Sequence, residues 1–176
     1  MRPARPLALL LILACAVPTA ACSGGRGPNA WAASVCTALD PWRTEIGSLT
    51  SRTQQQMEAD TTPGQAKENL MRLFAGAADA SEQARAGVVA AGVPDVDDGE
   101  QIAEAFTGAL TAIRDAYGRA RSGIEDLPTA PAKTFYDHVE QVVAKLNREY
   151  AASSLDTSAL NSRELKDAFD QVPECR

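Results

Sequence analysis

"VCTALDPWRTEIGSL", residues 35–49, is the stretch from which the fold is read. Val35, Leu39, Trp42, Ile46 and Leu49 recur at intervals of four, three, four and three residues. A helix turns once per 3.6 residues, so these side chains share one face, the stripe of an amphipathic helix. Asp40-Pro41 interrupts the run. Proline has no N–H to donate and its ring crowds the preceding turn. The apolar phase nevertheless continues, which predicts a kink or a restart with Asp40 as the new cap.

The same period governs the rest of the chain. "TTPGQ" (61–65) offers Thr62 as cap, Pro63 at the first helical position and Gln65 three after the cap, a capping-box pattern. A stripe of Ala66, Leu70, Leu73, Ala77, Ala84 and Val88 runs on to "AGVP", where Gly92 suits a left-handed cap and Pro94 prevents continuation. "DVDDGE" (95–100) places acids at the positive end of a third helix, whose face is Ile102, Phe106, Ala109, Ile113, Ala116 and Ala120. "LPTAPA" (127–132) ends it. Phe135, Val139, Val142, Leu146 and Tyr150 mark a fourth helix. After "SSLDTS" (153–158) a short fifth helix is expected near Asn161, with Glu164 as its box partner, burying Leu165, Phe169 and Val172 before Pro173. No segment alternates with period two, and no Asn-Gly or Asp-Gly turn joins two apolar runs. The expected fold is therefore all-α: an up-down four-helix bundle with a short fifth C-terminal helix. Ala77, Gly87, Gly108, Ala116 and Gly118 on helix faces imply close approach and a thin core. With 5% aromatic residues, such a core leaves little room for a large cavity.

The beginning of the chain reads differently. "MRPARP" (1–6) is basic, "LALLLILACAV" (7–17) is apolar, and "PTAAC" (18–22) comes next. This is the order of a secretory signal peptide, assigned to residues 1–21, and its apolar run is too short to span a bilayer. In "TAACSGGRGPNA" (19–30), Cys22 directly follows small residues and precedes a Gly-rich segment. The arrangement resembles the lipobox of bacterial lipoproteins, although Thr19 stands where that family usually has Leu. The resemblance implies lipid attachment at Cys22, residues 22–29 as a flexible tether, and a helical domain over 30–176. Two acyl chains suffice for stable anchoring where one is marginal. Cys15, after "ILA", is a second candidate, but it leaves an apolar run of only about seven residues. A plain secreted protein with an unmodified Cys22 is the rival reading.

Removal of the signal takes Arg2 and Arg5 with it, leaving 17 − 2 = 15 basic residues against 23 acids, net −8. That sign argues against nucleic acid as a partner and against electrostatic attraction to an anionic membrane. With Cys22 spent on the anchor, Cys36 and Cys175 remain, 175 − 36 = 139 residues apart. Outside the cytoplasm an even remainder favours an intramolecular disulfide, worth about 5 kcal/mol in the chain-entropy treatment. The fifth helix would thus be stapled to the first. Metal-binding thiols would need a C-x-x-C or Cys/His cluster, and the sequence has neither.

The "VCTALDPWRTEIGSL" opening and the close in which Phe169, Val172, Pro173 and Cys175 form F-x-x-V-P-x-C resemble small Ala-rich actinobacterial lipoproteins and secreted proteins. The resemblance covers most of the mature chain. It implies a helical, surface-anchored domain and no particular activity.

Few residues point to chemistry. His138 is the one histidine, and with Tyr136 or Tyr150 it is a candidate ligand set for a carrier of a small molecule, haem included. Ser-x-x-Lys, G-x-S-x-G and H-E-x-x-H are absent. A calcium loop counted from Asp95 would need Gly at its sixth place and Glu at its twelfth, where Glu100 and Phe106 stand. No cofactor or metal is assigned. Trp42 belongs to the core stripe; Trp31 is either a staple onto the bundle or an exposed contact. An enzyme would need convergent acids, such as Asp137 and Glu140 facing Glu149 or Asp115, and no spacing demands that. The favoured expectation is a monomeric, non-enzymatic lipoprotein on the outer face of the cell membrane. It would act as an interaction or structural domain of the cell envelope, for an envelope protein or ligand the sequence does not identify. A small-ligand carrier is the alternative.

Overall fold

The computed structural model describes residues 25–58, 60–153 and 160–176. The signal segment, Cys15 and Cys22 lie outside the described residues. The fold is all-α: α1 (Pro28–Gln55), α2 (Pro63–Ala91), α3 (Gly99–Glu125), α4 (Ala132–Ala152) and α5 (Arg163–Gln171), with a closing 3-10 turn at Pro173–Cys175. Among the described residues no helix is long and apolar enough to cross a membrane.

The first helix runs unbroken through Pro41, so of the kink or restart expected there the restart with Asp40 as cap does not occur. Both Asp40 and Pro41 are exposed, as is Thr37, whose carbonyl loses its partner one turn earlier. Water can serve that carbonyl. Val35 and Leu39 before the proline and Trp42 after it are all buried on one face. Burying three such side chains contributes about 5–8 kcal/mol, more than the roughly 3 kcal/mol an internal proline costs. Packing keeps the helix continuous.

The α2 capping box forms as expected: the Gln65 amide donates to Thr62 Oγ1 at 3.3 Å and the Thr62 amide donates to Gln65 Oε1 at 3.0 Å. Gly92 ends α2 with φ 74° and ψ −151°, a conformation outside the left-handed helical well and essentially reserved for glycine. At the start of α3, Asp98 is itself left-handed (φ 58°) and makes no side-chain cap; Glu100 is the acid in the first turn. The α5 cap is Ser162 rather than Asn161, with Ser162 Oγ accepting from the Leu165 amide at 3.3 Å. A hydroxyl one residue later reaches the free amide, and the Asn161–Glu164 box is not used.

Trp31 is fully buried, a staple onto the bundle and not an exposed contact. Its Nε1–H donates to the Gly92 carbonyl at 2.8 Å, and its ring meets Phe106 and Phe169 edge-on at 5.3 and 6.0 Å. Phe106 and Phe169 stack at 5.9 Å. Three helices, α1, α3 and α5, are thereby joined at one aromatic centre. Beside it the Cys36–Cys175 disulfide holds the two Cα atoms 5.0 Å apart, so the expected staple is present. Lower down, Trp42 Nε1–H donates to the buried Ser81 Oγ at 3.0 Å, locking α1 to α2.

The packing is uneven around the bundle. Helix α1 packs on α2, α2 on α3 and α3 on α4, while α5 and the closing turn cover α1. Backbone contact between α4 and α1 is absent among the described residues. Accordingly only Phe135 and Leu146 of the α4 stripe are buried, and Tyr150 is 40% exposed. Helix α3, enclosed from both sides, buries Leu110, Tyr117 and Ile124 beyond its expected stripe, whereas Ala109 is half-buried.

The glycines divide by what a methyl group would meet. At Gly87 an added Cβ would lie 2.6 Å from Ala38 Cβ, the close α1–α2 approach the sequence suggests. Gly108 and Gly118 face open space, so the expected close approach there is overturned; they border the buried stripe instead of sitting on it. Replacing glycine by alanine in an open helical position is worth about 1 kcal/mol. Gly108→Ala should therefore raise the melting temperature, while Gly87→Ala should lower it by forcing α1 and α2 apart. Thermal unfolding of the two variants checks the contrast; equal shifts would contradict the assigned α1–α2 contact.

Candidate functional site: a cleft at the open edge of the bundle

Where α4 fails to meet α1, a cleft of about 390 Å³ opens between α1, α3, α4 and α5. Its floor is apolar: Leu39 and Trp42 from α1, Phe106 and Ile113 from α3, and Phe169 from α5, all of them buried. Cys36 and Cys175 form part of the wall, so the disulfide fixes the cleft's shape as well as the position of α5. Arg43, Tyr150 and Asp170 supply its polar groups, and all three are exposed at the mouth.

The local sequence explains each position. Arg43 follows the core Trp42 directly, one step off the buried stripe, which is where a long side chain can lie along an apolar edge with its charge in water. Asp170 stands in the same relation to Phe169. Tyr150 is the last step of the α4 stripe and rests edge-on against Tyr117 at 6.4 Å. Burial pushes the Tyr117 hydroxyl up to about 12, with the neighbouring Tyr150 adding to the shift. Burial likewise pushes Tyr150 up, against an opposing pull from the Arg43 charge. Both phenols are neutral at ordinary pH and can donate hydrogen bonds. Among the described residues, neither Arg43 nor Asp170 has an ion-pair partner.

The sequence-derived ligand set does not converge. Tyr136 lies near the start of α4, where its hydroxyl donates to the Thr61 carbonyl at 3.2 Å. Tyr150 is fourteen residues further on, about 21 Å along the axis. His138 is half-buried, and its Nδ1 has no hydrogen-bond partner. Of the three, Tyr150 alone lines the cleft. The acids considered for catalysis are dispersed as well. Asp137 pairs with Lys133 at 2.8 Å, Glu149 with Arg119 at 3.0 Å and Asp115 with Arg114 at 2.7 Å. Among the described residues no group of three His, Cys, Asp or Glu side chains could hold a metal ion.

No known protein family, curated protein or solved structure matches this chain.

Away from the cleft, Glu82 on α2 accepts from Arg85 at 2.6 Å and from Arg114 on α3 at 2.7 Å. Those two guanidinium groups hold its carboxyl at about 2, well below the usual carboxylate range. A depressed folded-state pKa contributes stability that is full above the unfolded value of 4.5 and is lost as pH falls towards about 2. Glu82→Gln should therefore flatten the loss of stability between those two pH values relative to the parent, and denaturant midpoints across that range measure it. A parallel decline in both proteins would rule out the Glu82 clamp as a source of acid sensitivity.

Proposed function

We propose that this chain is an extracytoplasmic lipoprotein, anchored through Cys22, whose helical domain serves as an interaction or structural module of the cell envelope. The observation that carries the reading is the Cys36–Cys175 disulfide, a cross-link that persists in oxidising compartments outside the cytoplasm. The basic, apolar and small-residue order of residues 1–21 supports the same location.

Residues assigned to the tether give the anchor a short reach. The Arg26 amide donates to the Val93 carbonyl at 2.9 Å, and the Asp95 amide donates to the Arg26 carbonyl at 2.8 Å. Gly25 lies so close to Val93 and Asp95 that an added Cβ would meet their backbone at 3.1 Å. From Gly25 back to Cys22 is three residues, at most about 11 Å of chain. An acylated Cys22 would hold the bundle end formed by the start of α1 and the α2–α3 connection close to the lipid headgroups.

A small-ligand carrier is the second reading, and the cleft at the open α1–α4 edge favours it. The cleft moves that reading from Tyr136 and His138 to the wall shared by α1, α3, α4 and α5.

Cys22→Ser should release the mature protein from the membrane fraction or leave an unprocessed precursor. Fractionation and mobility shift in the native host decide the matter; a variant that partitions and migrates like the parent would contradict the lipoprotein reading.

A further inference from the structure

We infer that the cleft binds a small amphipathic monoanion, an apolar body seated on Trp42, Phe106 and Phe169 with its acid group at the Arg43 guanidinium and the Tyr150 hydroxyl. The inference rests on the carrier reading and names its ligand class. Four observations converge on it.

The first is size. At about 390 Å³ the cleft lies at the low end of the roughly 300–1,000 Å³ range of small-molecule sites, which suits one ring or a short chain. The second is surface chemistry: the floor is aromatic and aliphatic, so an apolar body displaces water from it at a gain of about 25 cal/mol per Å². The third is charge. The mature chain is net −8, and the cation at this mouth has no acid paired to it among the described residues, whereas Arg114 and Arg119, which bridge neighbouring helices, each hold a glutamate. A carboxylate or sulfonate would complete it through a charge-assisted hydrogen bond. The fourth is the Tyr150 phenol, which lines the same mouth as Arg43 and is a neutral donor that can add to the same acid group. Asp170, on the α5 side, repels a second negative charge and so limits the ligand to one.

Haem fits less well, because His138 does not line the cleft and Tyr150 is the sole member of the sequence-derived ligand set that does.

The test uses the disulfide-intact mature chain, with 4-phenylbutyrate as the anionic probe and its neutral amide, 4-phenylbutyramide, as the control. Isothermal titration gives affinities, and the Trp42 indole N–H resonance reports occupancy of the floor. The acid should bind about tenfold more tightly than the amide, one charged hydrogen bond's worth. Arg43→Gln, at an exposed position outside the core, should bring the acid down to the level of the amide with an unchanged melting temperature, and Asp170→Asn should strengthen the acid. Equal binding of acid and amide, or an acid affinity unmoved by Arg43→Gln, would overturn the anion assignment while leaving the carrier reading intact, provided the Trp42 resonance moves. If neither probe moves that resonance at millimolar concentration, the carrier reading falls along with the inference.

Discussion

Everything at the open side of this bundle depends on one covalent closure, Cys36 to Cys175. Helix α5 is nine residues long and buries Leu165, Ala168 and Phe169, with Val172 just beyond. Burying the three larger side chains contributes about 5–8 kcal/mol, whereas fixing nine backbones costs at least about 9 kcal/mol. Closing the 139-residue separation adds roughly 5 kcal/mol, comparable to that shortfall at its lower bound, so α5 depends on the staple. With α5 in place, Phe169 completes the Trp31–Phe106 centre and the floor of the cleft acquires its third aromatic ring. Staple, core and candidate site are therefore one unit.

That coupling explains why an Ala-rich chain can carry a cleft at all. Where α1 and α2 meet, small residues let backbones approach, as Gly87 against Ala38 does, and the groove along that contact, about 580 Å³, is lined largely by small and polar side chains such as Gly76, Asp79 and Gln83. On the opposite side the α4 stripe ends in the exposed Tyr150, and α5 stands in for the missing α4–α1 contact. Nine residues cannot fill the space that a helix of full length would. The gap that remains is walled by residues the core requires for other reasons, and its polar mouth consists of the residues next to them.

Much of the fold is legible in the sequence because apolar period is a direct record of burial. Thr62–Gln65 and the five helices follow from local rules, and the Cys36–Cys175 pairing from the count of cysteines left over once Cys22 is set aside. Pro41 departs from its local rule because tertiary packing wins: burial of Val35, Leu39 and Trp42 on a single face outweighs one missing hydrogen bond on the wet face. Trp31 is ambiguous in the sequence because it precedes the stripe, and only the Gly92 carbonyl and two phenylalanines distant in sequence define its place. The cleft is illegible for a related reason. Its existence reflects which helices fail to touch, and periodicity records only that each helix has a face to bury. Arg43 and Asp170 carry a weak signal, each being a charge one residue after a core aromatic, but nothing in the sequence places them at one mouth.

Dependence of the open side on the disulfide is tested most directly by amide hydrogen exchange on the double variant, Cys36→Ser with Cys175→Ser, beside the parent. If the staple holds α5 over the aromatic centre, amides from Leu165 to Phe169 lose their protection while the Ala77–Val88 and Ile113–Ile124 stretches of α2 and α3 keep theirs. Undiminished protection of α5 would show that its buried side chains hold it unaided, and the dependence of core and cleft on the disulfide would be refuted.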